Sequence, residues 1–320
     1  MSKKGATIIA GAIGAVIALI VILNLLVPWN SPLKVLLTPK KYEYNRLYHN
    51  AMANYQMGAM EEAKPIFIKL LKLKPENPDL HYRMGVVQSR LGETDEAIQE
   101  FEQAYKLSGS KMSEAQASIA AINIMQAEDL LKNDRYRDAG TLFDKANDRL
   151  DTAYEALRGR DPKQKDTLSK EFNLLRGQVY IGQGLSELLY SDRVDVAIER
   201  FATAESVFKA APELKPFREF RKLAHAYADL ARVYQKSYLD KQTAQKYWKK
   251  SFSTMELAIA AAQADMKSSM RFGDPFKVFR RKYESELKTL KKEAKGQGEQ
   301  KNPAPAPEPK KMDNAIEIFE

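Results

Sequence analysis

"LGETDEAIQEFEQAYKLSG", residues 91–109, is the stretch whose reading decides the fold. Its apolar positions Ala97, Phe101 and Ala104 fall at i, i+4 and i+7, which is one face of a helix. The alanine lets a neighbouring helix approach closely, and the ring fills the space one turn further on. Gly92, just ahead of it, can end a preceding helix with positive φ at little cost. The other side chains are mostly charged or polar and suit a solvated helix face. The stretch therefore predicts the second helix of a hairpin.

Working outward, the same pairing of an alanine with a ring four residues later recurs. Ala63/Phe67 lies 34 residues before Ala97/Phe101, and Ala139/Phe143, Ala197/Phe201 and Ala244/Trp248 follow at spacings of 42, 58 and 47. Three residues past each ring stand Leu70, Ala104, Ala146, Ala204 and Ser251. Twelve residues before each alanine come Ala51, Gly85, Ala127, Leu185 and Arg232, on a preceding helix. Gly58 and Gly92 fall in the intervening turns, and Pro75 and Pro78 in "KLKPENPDL" stop one helix and start the next. Two units in 34-residue register with both glycines aligned make a specific pattern.

This pattern resembles the tetratricopeptide repeat, an antiparallel helix pair. Residues 44–77 and 78–111 match in length and pattern, and 120–153 matches with a glycine-free turn, "KNDRYRDA". Segments 178–211 and 225–258 are degenerate. In the fourth, Gly184 falls one place early; in the fifth, bulky Arg232 stands where a small residue is expected. The resemblance implies an all-α, right-handed solenoid of about five stacked pairs with a concave face that holds protein partners. Carried over residue by residue, it places Asn45, Tyr48, Met52 and Tyr55 of the first unit, and Tyr82, Val86 and Arg90 of the second, on that inner wall. Packing between helices is the competing role for each tyrosine. Tyr48 and Met52 stand where chaperone-clamping members carry lysine and asparagine, which argues against that kind of partner.

Between the third and fourth units, Gly159 and Pro162 mark a break between extended helices, and Pro212 and Pro216 mark another before the fifth. "DPFKVFRRKYESELKTLKKEAKG" predicts a basic terminal helix within 271–295, with Asp274 as N-cap and Pro275 at its first position. Phe272, Phe276, Phe279 and Tyr283 repeat at three and four residues, as a buried stripe does. The helix is expected to cap the last repeat. Beyond it, 296–320 has the Pro/Ala-rich composition of a disordered linker. Its end carries Ile316, Ile318 and Phe319, which resemble a short recognition peptide.

At the other end, 1–5 is short and basic, 6–27 is an apolar run, and 28–43 is a linker. "ATIIAGAIGAVIALIVILNLLV" has no charge and one amide, Asn24. As a helix it would span about 33 Å, enough for a hydrocarbon core of about 30 Å. No A-x-A-like cleavage site follows it, so an uncleaved transmembrane anchor is expected rather than a removed signal peptide. Ala10, Gly14 and Ala18 form a small-xxx-small stripe through which the anchor would self-associate, although small residues are also common in anchors generally. Lys3 and Lys4 favour a cytoplasmic N-terminus, while Lys34, Lys40, Lys41 and Arg46 argue the reverse. The short basic start resembles a bacterial inner-membrane signal-anchor, which favours an extracytoplasmic body.

Composition excludes some chemistries. With no cysteine there is no disulfide framework, thiol nucleophile or Cys-based zinc site. His49, His81 and His225 have no metal-ligand spacing, and there is no phosphate-cradling P-loop. Gly182 and Gly184 lie in a helical pattern, against a dinucleotide fingerprint. The net charge of +9 suits an anionic partner without selecting one.

The expectation is a non-catalytic, membrane-tethered scaffold without cofactor or metal, serving protein partners in an envelope, secretion or motility assembly. Lipid or nucleic-acid association through the basic C-terminal helix is the alternative, with nucleic acid the less favoured ligand. An enzyme whose site forms between distant helices is a third.

Overall fold

The computed structural model describes residues 39–266 and 275–295. They form eleven α-helices and one 3-10 turn, with no strand among the described residues. In order these are α1 (Pro39–Gln56), α2 (Met60–Leu73), α3 (Pro78–Arg90), α4 (Thr94–Leu107), α5 (Ser113–Lys132) and α6 (Tyr136–Ala156). Then come α7 (Pro162–Tyr190), α8 (Val194–Ala210), the 3-10 turn (Pro212–Leu214), α9 (Phe217–Lys236), α10 (Lys241–Met266) and α11 (Pro275–Ala294). Each helix packs on its neighbours in sequence, and α5, α7 and α9 also touch directly. Five hairpins and a terminal helix thus stack in chain order as a tetratricopeptide-like solenoid.

The alanine–ring pattern is the core. Ala63, Ala97, Ala139 and Ala197 are fully buried together with Phe67, Phe101, Phe143 and Phe201, and Ala244 with Trp248 nearly so. Phe101, Phe143 and Phe201 each enter a site that a glycine leaves open on a facing helix. A Cβ built on Gly85 would lie 2.8 Å from Phe101 Cε1. In the fourth unit the open site is Gly184, where a Cβ would meet Phe201 at 2.6 Å; Leu185 is only partly buried. The frame read from the sequence was therefore one residue late there. Two further glycines of α7 do the same: Gly182 faces Phe143 and Gly177 faces Phe208. Arg232 is accommodated differently, its guanidinium over the Trp248 ring and paired with Asp229 and Glu293.

Turns explain the units that lack glycine. Gly58 (φ 76) and Gly92 (φ 82) take the left-handed conformation in the first two hairpins. Asp134, Asp192 and Leu239 take it in the next three. Aspartate tolerates that region through local hydrogen bonding, whereas leucine has no such compensation. Asn77 and Asp161 cap α3 and α7, accepting from backbone N–H groups two and three residues on, with Pro78 and Pro162 at the first helical positions.

The largest departure from the expected frame is α7, which starts at 162 rather than 178. Helices α6 and α7 extend together and pack along the added length. Leu150, Ala153, Leu157 and Phe172 are fully buried there. Tyr154 meets Phe172 edge-on at 5.6 Å and donates its hydroxyl to Asn173 Oδ1 at 2.5 Å, under the Arg176 guanidinium. This extended hairpin accounts for the 58-residue spacing.

Helix α11 packs on α10 at the end of the described array. Tyr283 and Leu290 are buried, and Glu286 and Glu293 turn inward onto Arg221 and Arg232. The side chains of Phe272, Phe276 and Phe279 lie outside those described. So do the apolar run 6–27 and the tail with Ile316, Ile318 and Phe319. Among the described residues no helix is long and apolar enough to cross a membrane.

Candidate functional site

The first helices of the hairpins line one wall of the array, and its two halves differ. Toward the C-terminal end the wall is tied to itself. Lys222 of α9 reaches Glu128 of α5 at 2.5 Å and Gln178 of α7 at 2.9 Å, and Gln178 in turn donates to Glu219 at 3.1 Å. Side chains bonded across three helices leave little room for an inserted segment.

Toward the N-terminal end the wall opens into a cleft of ≈ 890 Å³. On one side stand Met52, Tyr55 and Gln56 of α1 with Asp79, Tyr82 and Arg83 of α3. On the other stand Lys163, Gln164, Thr167, Leu168 and Glu171 of α7. The floor comes from the α4–α5 turn and the start of α5, including Met112 and Glu114, and from Arg160 just ahead of α7. The second side exists because α7 begins sixteen residues early. The inserted length of the chain thus builds half of the cleft.

Aromatic anchors set the first side. Tyr55 is 3% exposed, edge-on to Phe67 at 6.2 Å, with the guanidinium groups of Arg83 and Arg90 each 5.7 Å from its ring centre. Tyr82 packs on Phe101 at 5.5 Å, and burial drives its phenol well above the ordinary range. Charges inside the cleft are mostly matched. Arg83 pairs with Asp79, and Arg160 grips both oxygens of Glu114 at 3.0 and 2.7 Å while donating to the Lys111 carbonyl. Glu171 is half-buried and makes no side-chain ion pair or hydrogen bond among the described residues; burial, then the neighbouring Glu114, push its carboxyl above the usual carboxylate range. Lys111 and Lys163 are exposed at the rim.

Of the residues expected on the inner wall, Met52, Tyr55 and Tyr82 are brought together at the cleft. Arg90 stands behind them against Tyr55. Asn45 and Tyr48 lie earlier on α1, outside the cleft, where Tyr48 stacks on Tyr44 at 6.1 Å. Val86 is a correction: it is fully buried, because its place on α3 faces the α3/α4 core rather than the open wall. Sequence reading missed Arg160, Lys163, Leu168 and Glu171. The signal for them was the surplus of residues between the third and fourth units.

Two of the three histidines make polar contacts between elements. His81 bridges Glu100 at 2.5 Å and the Pro75 carbonyl at 2.7 Å, tying the loop after α2 to α4, and His225 contacts Glu286 at 3.1 Å. His49 is exposed beside Tyr48. Among the described residues, no group of three or more His, Cys, Asp or Glu side chains is placed to hold a metal ion. Gly182 and Gly184 sit in the interior of α7, as the sequence predicted, and serve ring packing.

Residues 54–122 match the family model described as tetratricopeptide repeat, and the similarity to that family is shown over that stretch. Among solved structures, it is similar to MamA (41 to the end) from Desulfovibrio magneticus RS-1. Identity there is 17%, coverage is 67% of this chain and 94% of that one, and the TM-score is 0.40. It is also similar to PilF of Pseudomonas aeruginosa at 18% identity, covering 81% and 95%, with a TM-score of 0.37. A third is the C-terminal part of a TPR repeat-containing protein from Cytophaga hutchinsonii, at 17% identity, covering 79% and 99%, with a TM-score of 0.33. No curated protein matches the chain.

Proposed function

We propose that this protein is a non-catalytic adaptor, tethered to a membrane through residues 6–27, that holds a protein partner in the cleft between α1, α3 and α7. The observation that carries the reading is the cleft itself. An open, partly apolar recess lies between two tyrosines and the extended start of α7, while the remaining inner wall is bonded across its own helices. Tyrosine and arginine, both present there, are the side chains most often found as interface anchors. Tethering would confine the cleft to a surface and raise its effective concentration for partners there. An envelope, secretion or motility assembly in a bacterial inner membrane, with the body outside the cytoplasm, suits this design.

The test is crosslinking of the full chain in its native membrane, followed by identification of what it carries. Partners recovered with the intact chain should be lost with Leu168→Arg, which puts a charge on the cleft wall. Undiminished recovery from that variant would sink the reading.

A second reading has one specific observation in its favour. Two of the three acids of α11, Glu286 and Glu293, turn inward, while Arg281, Lys282, Lys288 and Lys292, with Lys295 just past its end, are exposed. That face would bind an anionic surface with a steep salt dependence, and Leu168→Arg would leave it intact.

A further inference from the structure

Glu171 is the one carboxylate lining the cleft that has no ion-pair partner among the described residues. Its neighbours are spoken for: Glu114 by a bidentate arginine, Asp79 by Arg83. A half-buried carboxylate without a partner has lost part of its hydration and gained no hydrogen bond in return. A cation delivered into the cleft would restore that loss. The walls beside it are Leu168, Tyr82 and Met52, which suit the aliphatic stem of a long basic side chain. At the same rim, Lys163 is exposed and makes no ion pair among the described residues. It lies eight residues before Glu171 on the same helix, about 12 Å along the axis. An extended peptide covers that distance in roughly three to four residues at about 3.3 Å each.

From these placements, and resting on the docking reading above, we infer that the cleft selects an extended protein segment with a defined charge pattern. A lysine or arginine enters beside Glu171, and an acidic residue three or four positions away meets Lys163. Apolar side chains between them lie against Tyr82 and Met52. The two charges of α7 fix both the register and the direction of the segment, because reversing the peptide would set like charges against each other. Neutral amides and hydroxyls can donate a hydrogen bond to Glu171 but do not neutralise its charge, so a cationic side chain is favoured over them.

The experiment uses the full chain in detergent micelles and a phage-displayed library of linear peptides. Selections run in parallel on the wild type, Glu171→Gln, Glu171→Lys and Lys163→Glu. Circular dichroism confirms that each variant keeps its helical content. The wild type is expected to enrich peptides pairing a basic with an acidic residue at the stated separation. Glu171→Gln should bind those peptides about tenfold more weakly. Glu171→Lys should replace the basic position with an acidic one, and Lys163→Glu should replace the acidic position with a basic one. Peptides that bind in competition with one another, but with no charge pattern altered by these variants, would overturn the inference while leaving the docking reading in place. If no peptide is enriched over a chain blocked at Leu168→Arg, both fall together.

Discussion

Phe143 stands so close to Gly182 that a Cβ on residue 182 would lie 2.0 Å from Cζ of the ring. The contact crosses from α6 to α7 and is made at the core between the third and fourth units. Because the nearest atoms belong to a fully buried ring, relief requires moving a helix. Gly182→Ala should therefore destabilise the fold by about 3 kcal/mol. Gly140 gives the contrast on α6, where a Cβ would sit 3.5 Å from Ser186 Cβ, an ordinary contact. Gly140→Ala should stabilise by about 0.5–1 kcal/mol through helix propensity. Chemical denaturation of the two variants checks both signs, and equal effects would show that the ring does not define the unit spacing.

Leu239 takes φ 54 in the turn between α9 and α10, where its side chain is 78% exposed. The left-handed conformation costs a branched L-residue about 1 kcal/mol, and exposure means that little packing is lost on truncation. Leu239→Gly is expected to raise stability by about that amount. A fall in the denaturation midpoint would mean that the leucine is held by contacts the turn does not display.

Glu286 ties the terminal helix to α9. Burial alone would raise its pKa, but hydrogen bonds from His225 and Arg221 hold it down, from 4.5 to about 2. A depressed folded-state value contributes stability that is fully present above about pH 4.5 and is lost as the pH falls toward about 2. Hydrogen exchange in α11 should accelerate over that interval ahead of exchange in α3 and α4. Glu286→Gln should remove about 2 kcal/mol at neutral pH and flatten the acid limb. If α11 exchanges at the same rate at both ends of the interval, the carboxylate is not what docks it.

The apolar run 6–27 predicts that the full chain stays with membranes after alkaline extraction and that a chain lacking those residues appears in the supernatant. Protease added to sealed vesicles digests the body only if it lies on the outer face. Retention of the truncated chain in membranes would assign membrane association to another surface, with the basic face of α11 the first to examine.

How far the sequence could be read depended on how local each signal was. Ala97 and Phe101 are four residues apart on one helix, so their shared burial follows from helical period alone. Gly184 was harder, since the residue that matters is set by a ring on the facing helix, and α7 carries its glycines one place away from the frame of the first two units. Asp134 and Asp192 in left-handed turns were legible only as missing glycines. The cleft was half legible. Met52, Tyr55 and Tyr82 follow from the repeat, but Glu171 and Lys163 belong to a helix extension with no counterpart in a 34-residue unit. Nothing in the local pattern of "PKQKDTLSKEF" says that it folds back across the wall of the first two hairpins. Val86 was misread because a position on the inner helix can face either the groove or the second helix, and only the packing of α3 on α4 decides which.

The central claim is that a partner lies in the cleft between α1, α3 and α7, and photocrosslinking from single sites tests it most directly. A photoreactive amino acid is placed at Gln56 or Thr167, both exposed on the cleft walls, or at Lys69 or Asp148, both exposed on second helices. After irradiation in the native membrane, adducts of the same partner are predicted from the two cleft positions and none from the other two. Adducts from Lys69 and Asp148 alone, with Gln56 and Thr167 silent, would contradict the account.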